Sequence, residues 1–135
     1  MKKILTLEFI PRSADLALLV LRVWLGATML SLHGWGKLLG LINGTSKFPD
    51  IFGIGAMPVL IVAVFAEFLC SAFLILGLWS RLAAFFLATT MGTAFFVAHG
   101  AKLSGQGNGE LAFVYLAGFV SILIAGAGKF SVDQK

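Results

Sequence analysis

The run MPVLIVAVFAEFLCSAFLILGLW, from Met57 to Trp79, carries one charged residue, Glu67, in otherwise unbroken apolar sequence. A helix that crosses a bilayer needs roughly 20 mostly apolar residues. Pro58 stands near the start of the run, where a proline is tolerated because the first amides of a helix have no internal partner. A barrel strand would alternate apolar and polar side chains over about 10 positions, and no such alternation occurs here. In hydrocarbon every backbone N–H and C=O must pair inside the segment, and a helix achieves this. Residues 57–79 therefore read as a transmembrane helix.

Three further runs flank it. Ser80-Arg81 is a very short connection, so the apolar run over about 82–99 must return antiparallel beside the first. On the other side, Leu41 to Gly55 contains Asn43-Gly44, Pro49-Asp50 and Gly53, which signal turns and loop. Before it lies a run over about 15–39, whose first amides Ser13 or Asp15 can cap. Lys102 to Glu110 is polar and glycine-rich, hence a loop, and a final run covers about 110–127. The expected fold is all-α: one domain over 1–135, built as a bundle of four transmembrane helices. Ala84, Ala88 and Gly92, and likewise Ala117, Ser121 and Ala125, recur at four-residue spacing, a pattern expected at helix–helix seams in lipid.

Composition agrees. The chain is 59% hydrophobic and 12% charged, with a mean hydropathy of +1.00, whereas a soluble domain carries about a quarter charged residues. With 135 residues, four spans leave no room for a soluble catalytic domain. The net charge of +4 does not point to nucleic acid, because the basic residues are scattered and form no basic helix or aromatic-basic stripe. Met1 to Arg12 lacks the clear apolar region and small-residue cleavage site of a secretory signal and reads as an interfacial lead-in. The single cysteine, Cys70, excludes an internal disulfide and a Cys-x-x-Cys pair and reads as packing. Lys2, Lys3, Arg12, Arg81, Lys129 and Lys135 fall on the side of the termini, against Lys37, Lys47 and Lys102 opposite, which predicts cytoplasmic termini.

Ionisable residues inside a span are costly to insert and are candidates for function. Arg22 lies about 10 Å into its span from the cytoplasmic side and Glu67 about 18 Å, at 1.5 Å per residue. The remaining offset of about 8 Å suits a long arginine, so Arg22 and Glu67 are expected to pair, either as a structural ion pair or as a charged lining. A second group, His33, Lys37, His99 and Glu110, is assigned by span polarity to the opposite interface. It is a candidate ligand-binding cluster: His or Lys can donate to a quinone carbonyl, while thirteen Phe and three Trp offer apolar walls. The alternative for these residues is simple interfacial anchoring. Two His and one Glu lack dense ligand spacing, so no metal site is expected.

The stretches Arg22-Val-Trp-Leu-Gly26 and Leu32-His33-Gly34-Trp-Gly-Lys37-Leu38 resemble the opening signature of the DoxX family. Glu67 followed by Leu76-Gly77-Leu78 and Arg81-Leu-Ala-Ala, the start Gly109-Glu110, and the ending Gly126-Ala-Gly128-Lys-Phe-Ser131-Val-Asp133 are similar to later parts of it. The resemblance implies a four-helix bacterial inner-membrane protein linked to quinone-dependent oxidoreductase complexes, with Arg22, His33, Lys37, Glu67 and Glu110 as the matching polar residues. Without a cysteine pair, haem motif or nucleotide motif, catalysis by the chain alone is not expected; a quinone-binding membrane subunit with a redox partner is. The competing expectation is a non-enzymatic scaffold, chaperone or assembly factor, or a homo-oligomer, packed through small-residue helix faces. A transporter is a third, but no inverted repeat or broken helix is visible.

Overall fold

The computed structural model describes residues 2–134; Lys135, counted above among the basic residues near the termini, lies outside them. After a helical turn at Lys2–Leu5, four helices follow: α1, Ala14–Asn43; α2, Ala56–Leu76; α3, Ser80–Ala98; and α4, Glu110–Ala125. No strand occurs among the described residues. Helices α1, α2 and α3 are long and apolar enough to cross a membrane, and α4, with 16 residues, is shorter.

Local chemistry sets the boundaries. Ser13 caps α1, its Oγ accepting from the Leu16 amide at 3.1 Å. The helix runs on to Asn43, past the expected end near residue 39, and closes where Gly44 turns left-handed at φ 64°. There the Thr45 amide reaches back to the Gly40 carbonyl at 3.0 Å, the usual way of pairing the last carbonyls of a helix. Gly77, at φ 72°, ends α2 in the same manner. Span two thus stops at Leu76, three residues before the expected end, and the connection to α3 is 77–79 rather than Ser80-Arg81. Trp79 sits left-handed at φ 46°, a strained state for a bulky residue.

That strain is held from the C-terminal tail. Asp133 Oδ1 accepts from the Trp79 amide and Oδ2 from the Ser80 amide, both at 2.7 Å, so the tail carboxylate caps α3. The Asp133 amide in turn donates to Gly77 O at 2.8 Å. Asp15, free of a capping duty at α1, accepts from the Lys129 amide at 3.0 Å. The end of the bundle with both described termini is therefore laced by residues 126–134; we call it the tail end, and the end with the 44–55 segment the loop end.

The core runs along the bundle axis and includes Met29, Leu74, Leu87, Met91, Phe119 and Ile122. Buried Cys70 packs within it. Small Ala83, Ala84 and Ala88 on α3 are buried with the large Tyr115, Phe119 and Ile122 of α4. The second small-residue stripe behaves otherwise: Ala117, Ser121 and Ala125 face outwards. Large side chains fill this seam from the α4 side, so the small ones of α4 are turned away from it. Outward faces carry Trp24, Val62 and Ile124, each more than half exposed. Such surfaces suit lipid and would be untenable in water.

Candidate ligand site at the loop end

Three of the four helices widen locally to π-helical turns: Leu30–Gly34 in α1, Phe65–Cys70 in α2 and Ala94–Ala98 in α3. Such turns insert one extra residue into the ladder and often mark functional positions. Here the first holds His33, the second holds Glu67, and His99 follows the third directly. Gly34 lets α1 and α2 touch at this level, since a Cβ there would stand 2.4 Å from the Glu67 carbonyl oxygen.

Glu67 is buried, and its carboxylate accepts from the Lys37 ammonium. Lys37 is held on its other side by Phe48 of the 44–55 segment, whose ring centroid lies 5.8 Å from Nζ, a cation–π contact. The expected partner of Glu67 was Arg22, and the structure does not bring those two together. Arg22 is 1% exposed and instead donates from Nη1 to Leu74 O at 3.1 Å and Ile75 O at 2.6 Å, and from Nη2 to Phe130 O. The first two are last-turn carbonyls of α2, where the amides one turn ahead run out, although Leu74 O also accepts from the Gly77 amide at 3.2 Å. Arg22 thus staples the end of α2 to the tail, and its charge faces Asp133. Burial pushes the Asp133 carboxyl up, but the Ser80 and Trp79 amides and the Arg22 charge outweigh it, leaving the group below its ordinary value.

His33, Lys37 and His99 do converge. They line a cavity of about 280 Å³ together with Glu67, Asn108 and Tyr115. His33 meets the Tyr115 ring edge-on at 6.0 Å between centroids, and the Tyr115 hydroxyl donates to Thr28 Oγ1 at 2.8 Å. His99 Nδ1 lies 3.0 Å from the Gly107 carbonyl; a carbonyl only accepts, so this nitrogen carries the proton and Nε2 is left as acceptor in the neutral ring. Glu110 does not join them. It is exposed and outside the cavity lining, in the first turn of α4, where a carboxylate complements the helix dipole.

A second cavity, of about 440 Å³, shares Lys37, Glu67 and His99 with the first. Its other walls are chiefly apolar, with Phe48 and Phe52 from the loop, Val59 and Val62 from α2, and a threonine stripe on α3. Lys37, Glu67 and His99 thus border both chambers, and the smaller one has the more polar lining. Tyr115 and Phe48 were absent from the expected cluster. A tyrosine in the fourth apolar run was the available signal, because a buried hydroxyl needs a partner; nothing in the sequence singled out Phe48.

These features define a small helical membrane protein with a partly buried charged pair that lines two chambers. The DoxX family model matches residues 17–100, and the chain belongs to the DoxX family. That match contains Arg22, His33, Lys37, Glu67 and His99, and stops before α4 and the tail. An uncharacterised protein of Haemophilus influenzae is 38% identical over 110 residues, covering 70% of this chain and 80% of the relative. No solved structure matches the chain.

Proposed function

We propose that this protein is a redox-linked subunit of the bacterial inner membrane that holds a quinone, or a similar small amphiphile, in the loop-end cleft, with the tail end facing the cytoplasm. The supporting observation is the Lys37–Glu67 pair at the boundary of the two chambers. A buried ion pair contributes little to stability, because desolvation offsets its attraction, so its placement beside ligand-sized space argues for use. Lys37 and the histidines orient the head, and the phenylalanine-lined chamber takes the ring and the start of the tail. The chain supplies binding and a polar boundary; electrons come from a partner oxidoreductase. Purification in mild detergent followed by organic extraction tests this. Isoprenoid quinone should accompany the protein near stoichiometrically and be depleted severalfold in Lys37→Met; equal extraction from both proteins removes the reading.

A second reading, a scaffold or assembly factor for other membrane proteins, is favoured by the outward stripe Ala117, Ser121 and Ala125. Small residues facing lipid permit close approach of a foreign helix. Cysteine crosslinking from Ala117 in native membranes distinguishes the two: a discrete adduct supports it, and none removes it.

A further inference from the structure

The charge balance of the pair restricts what can lie against it. A lysine ammonium has three N–H donors. One is taken by Glu67 and the Phe48 ring covers another direction, so a ligand can take an N–H without breaking the pair. The apolar chamber offers few rivals as donors. Thr89 and Thr90 already direct their hydroxyl protons to Phe85 O and Phe86 O, each at 2.9 Å. Lys37 is therefore the strongest donor at the chamber's edge.

An uncharged head with a carbonyl oxygen can accept this N–H and leave Glu67 neutralised. An anionic head fares differently. It meets the Lys37 charge and the Glu67 charge side by side, so attraction and repulsion largely cancel. Its own desolvation is then uncompensated, which is costly in an apolar site. Glu67 is 4% exposed and its backbone packs against Gly34, so its carboxylate lies away from bulk water.

We infer that Glu67 determines the ligand class of the cleft: by neutralising Lys37 it admits amphiphiles with an uncharged, hydrogen-bond-accepting head and excludes anionic ones. This rests on the proposed reading that the cleft holds an amphiphile, and it adds the residue that sets the selection. Glu67 acts through Lys37, as a positioning and screening group.

Three probes with one tail test it: a decyl-substituted benzoquinone, decyl sulfonate, which stays anionic at every usable pH, and decyltrimethylammonium. Binding is measured by calorimetry on the full chain in zwitterionic nanodiscs, with empty discs subtracted. The parent should bind the quinone at least about tenfold more tightly than the sulfonate. In Glu67→Gln the sulfonate should gain about tenfold or more while the quinone changes less than about threefold. Lys37→Met leaves the opposite charge, so the ammonium probe should gain there; this arm stands even if Glu67→Gln does not fold. Equal binding of quinone and sulfonate by the parent, or charge preferences unmoved in the variants, overturns the selection and leaves the cleft reading intact. Binding of none of the three by the parent overturns both.

Discussion

Lys37→Met removes the ammonium that neutralises Glu67, and the structure sets the size of the effect. Breaking a fully buried pair typically costs about 3–5 kcal/mol. The Glu67 side chain is 6% exposed but that of Lys37 is 24%, so water reaches one side of the pair and the expected cost falls to about 2–3 kcal/mol. Glu67→Gln leaves a lysine that can extend towards the interface, at about 1–2 kcal/mol. With both charges gone, the double variant should lose only about 1 kcal/mol, giving a coupling of about 2–4 kcal/mol. Unfolding in mixed detergent and dodecyl sulfate micelles, followed by far-ultraviolet circular dichroism, measures all four proteins. Arg22→Met with Glu67→Gln is the control, and its effects should add within about 0.5 kcal/mol because the two share no partner. Additive losses at Lys37 and Glu67, or coupling at Arg22 and Glu67, would refute the assignment of the pair.

Arg22→Met should be among the harshest single changes. It removes the Arg22 donor from the Ile75 and Phe130 carbonyls, at about 1–3 kcal/mol for each one left unpaired, while Leu74 O keeps the Gly77 amide; Arg22→Lys should recover only part of this, because one ammonium cannot span the forked geometry. Gly34→Ala places a methyl 2.4 Å from the Glu67 carbonyl; it should cost about 1–3 kcal/mol and reduce co-extracted amphiphile, both read on one preparation. Asp133 adds a pH dependence. Its folded-state value is depressed below about 3.8, so its stabilisation is complete above that pH and is lost as the pH falls through the lower folded value. Asp133→Asn should be less stable at neutral pH and show a shallower loss in acid; parallel acid profiles would remove Asp133 as the cause. Cysteines at Ser46 and Ser131, after replacing Cys70, should label from opposite membrane faces.

The helices were legible because apolar runs and turn-forming glycines report directly on backbone pairing in lipid. Their ends were less so. Gly77 closes α2 with the tail lying over it, and Asp133 supplies its neighbour's cap from 53 residues away; no local pattern carries that. The partner of Arg22 was misread because depth arithmetic compares one charge with another. The carbonyls at the end of α2 accept equally well, and they lie nearer. A helix ending near residue 39 puts Lys37 at the interface, yet α1 continues to Asn43, and the ammonium lies within reach of Glu67. The convergence of His33, Lys37 and His99 followed from alternating span direction alone. Glu110 failed the same reasoning, because sharing a level in the bundle does not decide which way a side chain turns.

The modest length of α4 has a consequence for the lipid around the protein. At 1.5 Å per residue its 16 residues span about 24 Å, against about 45 Å for the 30 residues of α1 and a hydrocarbon layer of about 30 Å. One flank of the bundle is thus too short for its solvent and another too long. Acyl chains beside α4 must shorten or splay, at a fraction of a kcal/mol per Å of mismatch, while α1 tilts or projects. The strain is relieved in thinner bilayers, or when a neighbouring protein covers the α4 flank. Membrane thickness therefore acts on this protein from one side, and short-chain lipids should gather where its shortest helix meets them.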